Sequence, residues 1–409
     1  MNSKIAFGTY RVSDRVAQHI EAIKLAIEDG VRLIDTSTNY MDGAAERAIG
    51  VALNSLDEKL TCKVEIVSKF GYLQASTLKR VKEDGEDFPE IVKFAEHVYH
   101  CIHPEFLKDQ LGESLSRLHV KSINCYLLHN PEYYLLDALN KKQDYAKALD
   151  GMFERIYKAF VALELEVKAG RILSYGISSN SFAKPENDIE FLPYDDLIIF
   201  AQNAAQEAEN DTHSFTTIEL PVNILEQEGL KCAKWAKENG LRVLANRPLN
   251  AQKDALMYRL ADYDEPQEYF HYLNAALELS EGEDEDTQSI HNLIEQLDAS
   301  RHRFGWIGEY ESFLHTQIIP HFAKELEKLD ESTQDILAQN IDQFLTYYAK
   351  MVAYECSKMT KVVLKDEFLT CKKSLQSCAL EFLLENENID FVLLGMRKPL
   401  YVADVMNLL

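Results

Sequence analysis

The feature that most limits the possible folds of this chain is a repeat of short apolar runs. Each run ends in polar residues and is followed by a segment with helical periodicity. The eight runs lie at residues 5–9, 33–37, 64–69, 123–128, 172–178, 215–220, 241–245 and 391–394. Buried parallel strands have such near-continuous apolar stretches, and helices connect them. Eight strand–helix units predict an α/β protein with a (β/α)8 TIM barrel.

One long segment interrupts this alternation between strand seven and the last barrel helix. Its apolar residues recur with helical period, and it contains an acidic run at 281–286. We therefore predict a barrel with strands one to seven over residues 1–250, an acidic and mostly helical insertion on the catalytic rim over 251–370, and completion of the barrel over 371–409. A solvated appendage and a lid or oligomer contact both fit this composition, and the oligomeric state stays open.

Charge and cysteine content restrict the partners and the compartment. The formal net charge of −24 argues against nucleic acid or an anionic membrane as the main partner. No apolar run approaches the roughly 20 residues that a membrane span needs, and the first strand begins too early to leave room for a signal peptide. The seven scattered cysteines include no CxxC pair. This pattern predicts reduced thiols and a cytoplasmic protein.

Four chemically active side chains stand at or just after the ends of neighbouring predicted strands. They are Asp35, Tyr40, Lys69 and His129. The carboxyl ends of barrel strands meet at one rim, where catalytic groups collect. We expect Lys69 to lower the pKa of the Tyr40 phenol and Asp35 to keep Lys69 charged. With His129 bonded to the substrate oxygen, this set would donate a proton to a carbonyl that receives a hydride, or perform the reverse.

Asp35 and Lys69 could also be a purely structural ion pair, since such networks perturb pKa values too. The presence of Tyr40 and His129 at matching strand ends favours the catalytic interpretation. No Gly-rich dinucleotide fingerprint or P-loop occurs in the chain. His97, His100 and His103, with Cys101 between them, have a spacing compatible with metal ligands on a helix. We favour instead a polar surface helix over the rim and predict no metal.

Motifs around these residues, in this order and spacing, resemble those of the aldo-keto reductase family. The similar segments cover nearly the whole barrel. They are Gly8-Thr9-Tyr10, Asp35-Thr36 through Tyr40 with Gly43, Glu46 and Gly50, Val67-Ser68-Lys69, Tyr126 to Pro131, Gly176-Ile177-Ser178-Ser179-Asn180, Ala379 to Leu384, and Leu394-Gly395-Met396-Arg397. The resemblance implies NADP(H)-dependent reduction of a small aldehyde or ketone, or oxidation of the alcohol, with Tyr40 as general acid/base.

The resemblance also implies which residues contact the cofactor. Ser178 or Ser179, Asn180 and Glu219 would hold the nicotinamide, Arg397 and Lys398 the adenosine 2′-phosphate, and Asp404 the adenine. An arginine forms strong charge-assisted bonds to phosphate, in agreement with this assignment. The full predicted set is Gly8, Thr9, Tyr10, Asp35, Ser178, Ser179, Asn180, Glu219, Arg247, Gly395, Met396, Arg397, Lys398 and Asp404.

The chain departs from the family pattern at four points. The loop after Tyr40 is two residues longer, and the turn 178–180 has one extra serine. Glu219 replaces a glutamine common in the family, which adds a charge. Strand seven ends in Asn246-Arg247, so the aromatic residue that usually stacks on nicotinamide is missing, and Arg247 could reach the pyrophosphate instead. Two other functions stay open: a nucleotide-binding redox sensor with little turnover, and a barrel isomerase that uses no nicotinamide.

Overall fold

The computed structural model describes residues 4–85, 87–254, 256–282, 285–365 and 371–407. The chain divides into two compact units. The first comprises Met1–Val222, Glu226–Pro248 and Phe382–Leu409, and the second comprises Asn223–Leu225 and Leu249–Glu381. The first unit carries the repeated strand–helix pattern, and the second contains most of the predicted insertion. The residue limits of 251 and 370 stay a prediction.

Eight parallel strands form a closed barrel in the first unit. They are β1 Ile5–Gly8, β2 Leu33–Asp35, β3 Glu65–Phe70, β4 Cys125–His129, β5 Tyr175–Ser178, β6 Phe215–Pro221, β7 Arg242–Asn246 and β8 Phe391–Leu394. Each strand pairs with its neighbours in chain order, and β8 closes the ring because Val392 pairs with Ile5. The predicted (β/α)8 barrel is confirmed.

Helices accompany the barrel strands in the first unit. The principal ones are Ala17–Glu28, Ala44–Asn54, Pro104–Leu118, Tyr145–Lys168, Leu197–Glu207, Gly229–Glu238 and Pro399–Met406, and shorter ones are Glu58–Thr61, Ala75–Lys82 and Tyr133–Asn140. Each long helix buries one face. Helix Tyr145–Lys168, for example, buries Met152, Ile156 and Phe160 on one side. Such amphipathic helices cover the apolar outer surface of the barrel.

The segment between β3 and the next long helix forms a small antiparallel sheet rather than the predicted surface helix. Strand Val98–His100 lies between Tyr72–Leu73 and Val92–Ala95. His100 is buried in this sheet, His97 is exposed, and His103 caps helix Pro104–Leu118. The three histidines therefore belong to different local structures: His97 lies in the turn before the strand, His100 ends the strand, and His103 precedes the helix. Within the described ranges, no group of three His, Cys, Asp or Glu side chains is placed to hold a metal ion.

The second unit is mostly helical, and the predicted long insertion after strand seven is confirmed. A hairpin of Asn250–Lys253 and Leu256–Arg259 comes first. The helices are Tyr269–Ser280, Glu285–Ser300, Ile307–Phe313, Ile319–Leu326 and Glu331–Val363, and Leu375–Leu384 includes the boundary with the first unit. Tyr269, Tyr310, Phe344 and Tyr348 belong to a separate apolar core. Glu283 and Asp284 of the acidic run lie outside the described residues.

Two of the cysteines differ from the expectation that every cysteine is a reduced thiol. Cys371 and Cys378 form a disulfide. Cys378 lies in the first turn of helix Leu375–Leu384, and Cys371 lies just before that helix. Their Cα atoms are 6.3 Å apart, within the range that a disulfide spans. The prediction is therefore wrong for this pair, because helix entry brings together two cysteines seven positions apart. The other five cysteines are free thiols.

No helix in the described part of the chain is both long enough and apolar enough to cross a membrane.

Candidate active site

The polar rim of the barrel follows from the alternation of side chains along each strand. One apolar cluster fills the barrel with residues that include Leu33, Val67 and Leu127. Side chains two positions apart on a strand share a face. The pairs of cluster residue and rim residue are Ala6 and Gly8, Leu33 and Asp35, Val67 and Lys69, Leu127 and His129, Leu244 and Asn246, and Leu393 and Gly395. A dry apolar layer therefore lies directly below a layer of polar and small residues.

Lys69 is the centre of the polar layer. Its ammonium group donates to a carboxylate oxygen of Asp35 and, over 3.0 Å, to the backbone oxygen of Thr36. A second carboxylate, Glu219, places Oε2 3.2 Å from the same nitrogen. Lys69, Asp35 and Glu219 are all buried. One buried cation thus lies between two carboxylates that come from opposite sides of the barrel.

The charges of Asp35 and Glu219 determine the protonation state of Lys69. Burial by itself lowers the pKa of Lys69, but Asp35 and Glu219 outweigh it and raise that pKa above its usual value. Burial and then Glu219 raise the pKa of Asp35, while Lys69 opposes them. Lys69 is therefore a permanent ammonium ion at neutral pH.

Tyr40 lies next to this ammonium group. The Lys69 nitrogen is 5.2 Å from the centroid of the Tyr40 ring, and the ring is half-buried. Burial raises the pKa of Tyr40, and the nearby Lys69 lowers it by less. The net shift is upward, so the expectation that Lys69 brings the phenol below its ordinary pKa is wrong for this structure. The phenol is a neutral proton donor near pH 7.

The two extra residues after Tyr40 form a turn with left-handed backbone conformation. Met41, Asp42 and Gly43 have positive φ angles of 50°, 56° and 75°. The turn ends at helix Ala44–Asn54, and Asp42 Oδ1 accepts hydrogen bonds from the amide and hydroxyl of Ser76. Left-handed residues reverse the chain within a short distance, so the loop can place Tyr40 at the rim and still enter the helix.

The spacing of Gly43, Glu46 and Gly50 serves the packing of this helix against helix Pro104–Leu118. A Cβ on Gly43 would lie 2.8 Å from Arg117 Nε, and one on Gly50 would lie 2.6 Å from the Arg117 backbone oxygen. Buried Glu46 accepts from Arg117 at 3.0 Å and from Ser68 at 2.7 Å. Ser68 precedes Lys69 on β3, so these contacts also anchor the strand that carries the ammonium group.

His129 completes the group around Tyr40. The two ring centroids are 6.1 Å apart, and His129 Nδ1 lies 3.1 Å from the Ser37 hydroxyl. His100 Nε2 lies 2.7 Å from the His129 backbone oxygen. Burial, then Lys69 and His100, lower the pKa of His129 well below its usual range. Its imidazole is therefore neutral and can donate a hydrogen bond without carrying charge.

The residues expected to hold the nicotinamide lie at the end of β5 and within β6. Ser178 and Ser179 are buried and Asn180 is exposed. The backbone amide of Asn180 donates to Asn130 Oδ1 over 3.1 Å. Glu219 Oε1 accepts from Asn246 Nδ2 over 3.0 Å. These contacts leave the exposed side chain of Asn180 at the rim.

A buried carboxylate, Glu132, lies behind this turn. Burial raises its pKa to about 7, and hydrogen bonds from Ser179 and the backbone of residues 180 and 181 partly offset that shift. One of its oxygens, Oε2, has no hydrogen-bond partner within the described structure. Glu132 therefore titrates near neutral pH beneath the predicted cofactor residues.

The residues expected at the phosphates are more exposed. Arg247 donates to Glu226 over 2.9 Å and has a positive φ of 54°. Arg397 is half-buried, and Lys398 and Asp404 are exposed. Burial is the main cause that lowers the pKa of His19, and the charges of Arg397 and Lys398 lower it further. Arg397 and Lys398 thus form a basic group where β8 ends, close to a neutral His19.

The remaining predicted cofactor residues lie at the ends of β1 and β8. Thr9 Oγ1 donates to the Asp35 backbone oxygen over 2.8 Å. Tyr10 is 65% exposed and packs its ring 5.3 Å from that of Tyr40. Gly8 ends β1, and Gly395 and Met396 follow β8. Gly8 and Thr9 therefore lie beside Asp35, and Tyr10 lies beside Tyr40.

A model of the aldo/keto reductase family matches residues 4–253, more than half of the chain. The chain belongs to the aldo/keto reductase family. The resemblance stated from the motifs is thereby confirmed, and the family consists of oxidoreductases that act on carbonyl and alcohol substrates.

Solved structures of several aldo/keto reductases are similar to the chain. A glycerol dehydrogenase from Gluconobacter oxydans is 18% identical, with a TM-score of 0.49, over 99% of this chain and 86% of that one. An aldo-keto reductase from Bacillus halodurans is 15% identical, with a TM-score of 0.48, over 99% and 86%. One from Klebsiella pneumoniae, in complex with NADP and acetate, is 15% identical, with a TM-score of 0.44, over 99% and 85%. Comparison with curated protein sequences gives no significant match.

Several residues of this aldo/keto reductase site were missed by sequence reasoning. They are Ser37, Tyr72, His100, Arg117, Asn130, Glu132 and Asn246 as a partner of Glu219. Asn130 and Glu132 directly follow the strand that ends in His129, and that position was an available signal. Tyr72, His100 and Arg117 come from elements whose packing the local pattern does not reveal.

Proposed function

We propose that this aldo/keto reductase transfers a hydride between NADP(H) and a small carbonyl or alcohol substrate, with Tyr40 as general acid/base. The observation that carries this proposal is the juxtaposition of three groups at one rim. A permanently charged Lys69 lies 5.2 Å from the Tyr40 ring centroid, and neutral His129 lies 6.1 Å from it between ring centroids. Asp35 accepts a hydrogen bond from the Lys69 ammonium group and so holds it in place.

In the direction of reduction, the Tyr40 hydroxyl donates its proton to the oxygen of the substrate carbonyl. NADPH, when bound, would supply the hydride that the carbonyl carbon accepts, so that the product is the alcohol. The phenolate that forms is stabilised by the adjacent Lys69 ammonium. The neutral imidazole of His129 donates to the same substrate oxygen in the tautomer that has its proton on Nε2. In that tautomer the Ser37 hydroxyl proton turns from Asn39 Oδ1, 2.7 Å away, to His129 Nδ1, 3.1 Å away. Oxidation of an alcohol uses the same groups in reverse.

The residues present fit a nicotinamide dinucleotide. Asn246 Oδ1 is buried and has no hydrogen-bond partner among the described residues, so it offers an acceptor for a carboxamide N–H. We assign Ser178 or Ser179, Asn180 and Glu219 to the same group. Gly8, Thr9, Tyr10 and Asp35 would border the nicotinamide from β1 and β2.

The opposite end of the cofactor fits the basic group after β8. Arg397 and Lys398 would hold the 2′-phosphate, beside Gly395 and Met396, because exposed cations bind phosphate through charge-assisted hydrogen bonds. Asp404 would face the adenine amino group. Arg247 would reach the pyrophosphate only after it releases Glu226.

The test is a titration of the protein with NADPH, followed by fluorescence, together with steady-state assays in both directions. NADPH oxidation is measured with a panel of aldehydes and ketones, and NADP+ reduction with a panel of alcohols. The proposal expects binding and turnover. Binding without turnover of any substrate would favour a redox sensor, and absence of binding would favour a barrel enzyme that uses no nicotinamide.

A further inference from the structure

Glu219 adds a second carboxylate to a buried site that has a single ammonium group. It lies in β6, paired with Ser178 on one side and Leu244 on the other, and is 2% exposed. Its Oε2 is 3.2 Å from Lys69 Nζ, and its Oε1 accepts from Asn246. The carboxylate is therefore held rigidly inside the polar layer, in direct contact with the residue that stabilises Tyr40.

The charges of this layer do not cancel. Asp35 and Glu219 are two carboxylates, and in the described part of the chain Lys69 is the cation that pairs with either of them. Above the raised pKa of Asp35 both carboxylates are ionised, and the three groups then have a net charge of −1. An amide at position 219 would leave Asp35 and Lys69 as a neutral pair. Arg247, a nearby cation in the sequence, is bonded to Glu226.

We propose that Glu219 biases this site toward the oxidised, positively charged form of the nicotinamide cofactor, and so toward alcohols as substrates. This inference rests on the proposed function, which assigns Glu219 to the nicotinamide. The oxidised ring has one positive charge that it loses on accepting a hydride. A buried carboxylate therefore stabilises NADP+ relative to NADPH, because it attracts a charge that exists in only one of the two forms.

The expected size follows from Coulomb's law. At an effective dielectric constant of about 20, unit charges within about 10 Å of each other change an equilibrium constant by about tenfold or more. The solution equilibrium between alcohol and carbonyl is unaffected. The effect lies in the relative affinity for the two cofactor forms and in the equilibrium between the bound species.

The experiment compares dissociation constants of NADP+ and NADPH by calorimetry or fluorescence for the full-length protein. Glu219→Gln removes the charge and keeps the shape, and Glu219→Asp keeps the charge. Glu209→Gln removes a carboxylate that is 87% exposed and serves as the matched control. We expect Glu219→Gln to shift the ratio of the two dissociation constants by about tenfold or more in favour of NADPH, whereas the aspartate and the control shift it by less than about threefold.

A ratio that stays the same in a folded Glu219→Gln protein would overturn the inference, while binding of both forms would leave the proposed function intact. A purely structural role for Glu219 would lower the melting temperature without moving the ratio. Should Glu219→Gln fail to fold, Asp35→Asn removes the other carboxylate beside Lys69. Its ratio should also move toward NADPH, and an unchanged ratio in that variant would equally overturn the inference. If the wild-type protein binds neither form, the proposed function itself fails.

Discussion

The two parts of the candidate site are held in different ways. Asp35, Lys69 and His129 are buried residues at the ends of barrel strands, each fixed by hydrogen bonds to its neighbours. Arg397 and Lys398 belong to the segment after β8, and they are partly or fully exposed. The residues that we propose for catalysis are thus held in place by the barrel, whereas the cations that we propose for the 2′-phosphate reach solvent.

This difference predicts two classes of variants. Changes in the buried layer should affect stability and chemistry, because each charge there depends on its partner. Changes in the exposed segment should affect cofactor affinity and leave the fold intact. The predictions below test that division, in order of decreasing effect.

The largest effect is expected for Lys69→Met. Removal of the ammonium leaves Asp35 and Glu219 buried without a counter-charge, so the free energy of unfolding should fall by about 3–5 kcal/mol. Chemical denaturation at pH 7 measures it. The double variant Lys69→Met with Asp35→Asn also lacks one of the two carboxylates. It should regain part of the stability that Lys69→Met loses, but not the activity. Equal stability of Lys69→Met and wild type would contradict a charge-dependent buried layer.

Glu132 is a buried carboxyl group next to the residues that we assign to the nicotinamide. Its pKa is about 7 in the folded protein, above the value of 4.5 for an exposed glutamate. The folded state therefore binds more protons between these values, and this residue makes stability fall as pH rises from about 4.5 to about 7. Relative to Glu132→Gln, the wild-type protein should lose up to about 3 kcal/mol over this window.

Urea denaturation of both proteins at several pH values measures the difference. Above pH 7 the difference should be constant. A difference in the free energy of unfolding that is constant from pH 4.5 to pH 7 would mean that Glu132 is ionised in the folded state at every pH tested. The expectation that changes in the buried layer affect stability through its charges would then be wrong for this residue.

Arg397→Ala tests the exposed segment after β8. Loss of a charge-assisted bond to the 2′-phosphate should weaken NADPH binding by about ten- to a hundredfold. NADH, which has no such phosphate, should bind with unchanged affinity, and the melting temperature should stay the same. An equal loss for both nucleotides would place Arg397 elsewhere on the cofactor.

Glu226→Gln should have the smallest effect. The change removes the charge of the carboxylate that lies 2.9 Å from Arg247, so the guanidinium loses less on moving toward the cofactor pyrophosphate. NADPH and NADH should then bind more tightly by the same factor, about two- to fivefold. Weaker binding in the variant would show that the ion pair itself shapes the pocket.

Much of this structure follows from local sequence patterns. The periodicity of two along each strand determines that Leu33 and Asp35, or Val67 and Lys69, share the barrel interior. That is why the eight strands and the placement of Asp35, Lys69 and His129 could be predicted. The chain order of the strands equals their order around the barrel, so no long-range pairing had to be guessed.

The remaining features depend on contacts between distant segments. Burial of Tyr40, which raises its pKa, arises from side chains around it and not from the loop sequence. The sheet that buries His100 forms because Tyr72 and Val92 both pair with it. The ion pair of Arg247 with Glu226 joins two loops. Such tertiary contacts override local propensity.

The most direct test of the central claim is a single-turnover experiment with Tyr40→Phe. The variant loses the hydroxyl and keeps the ring that packs near Lys69 and Tyr10. With saturating NADPH and an aldehyde that the wild type reduces, we predict an unchanged NADPH dissociation constant and a reaction rate lower by about 10²- to 10⁴-fold. A Tyr40→Phe protein that binds NADPH and reduces the aldehyde at the wild-type rate would contradict the account.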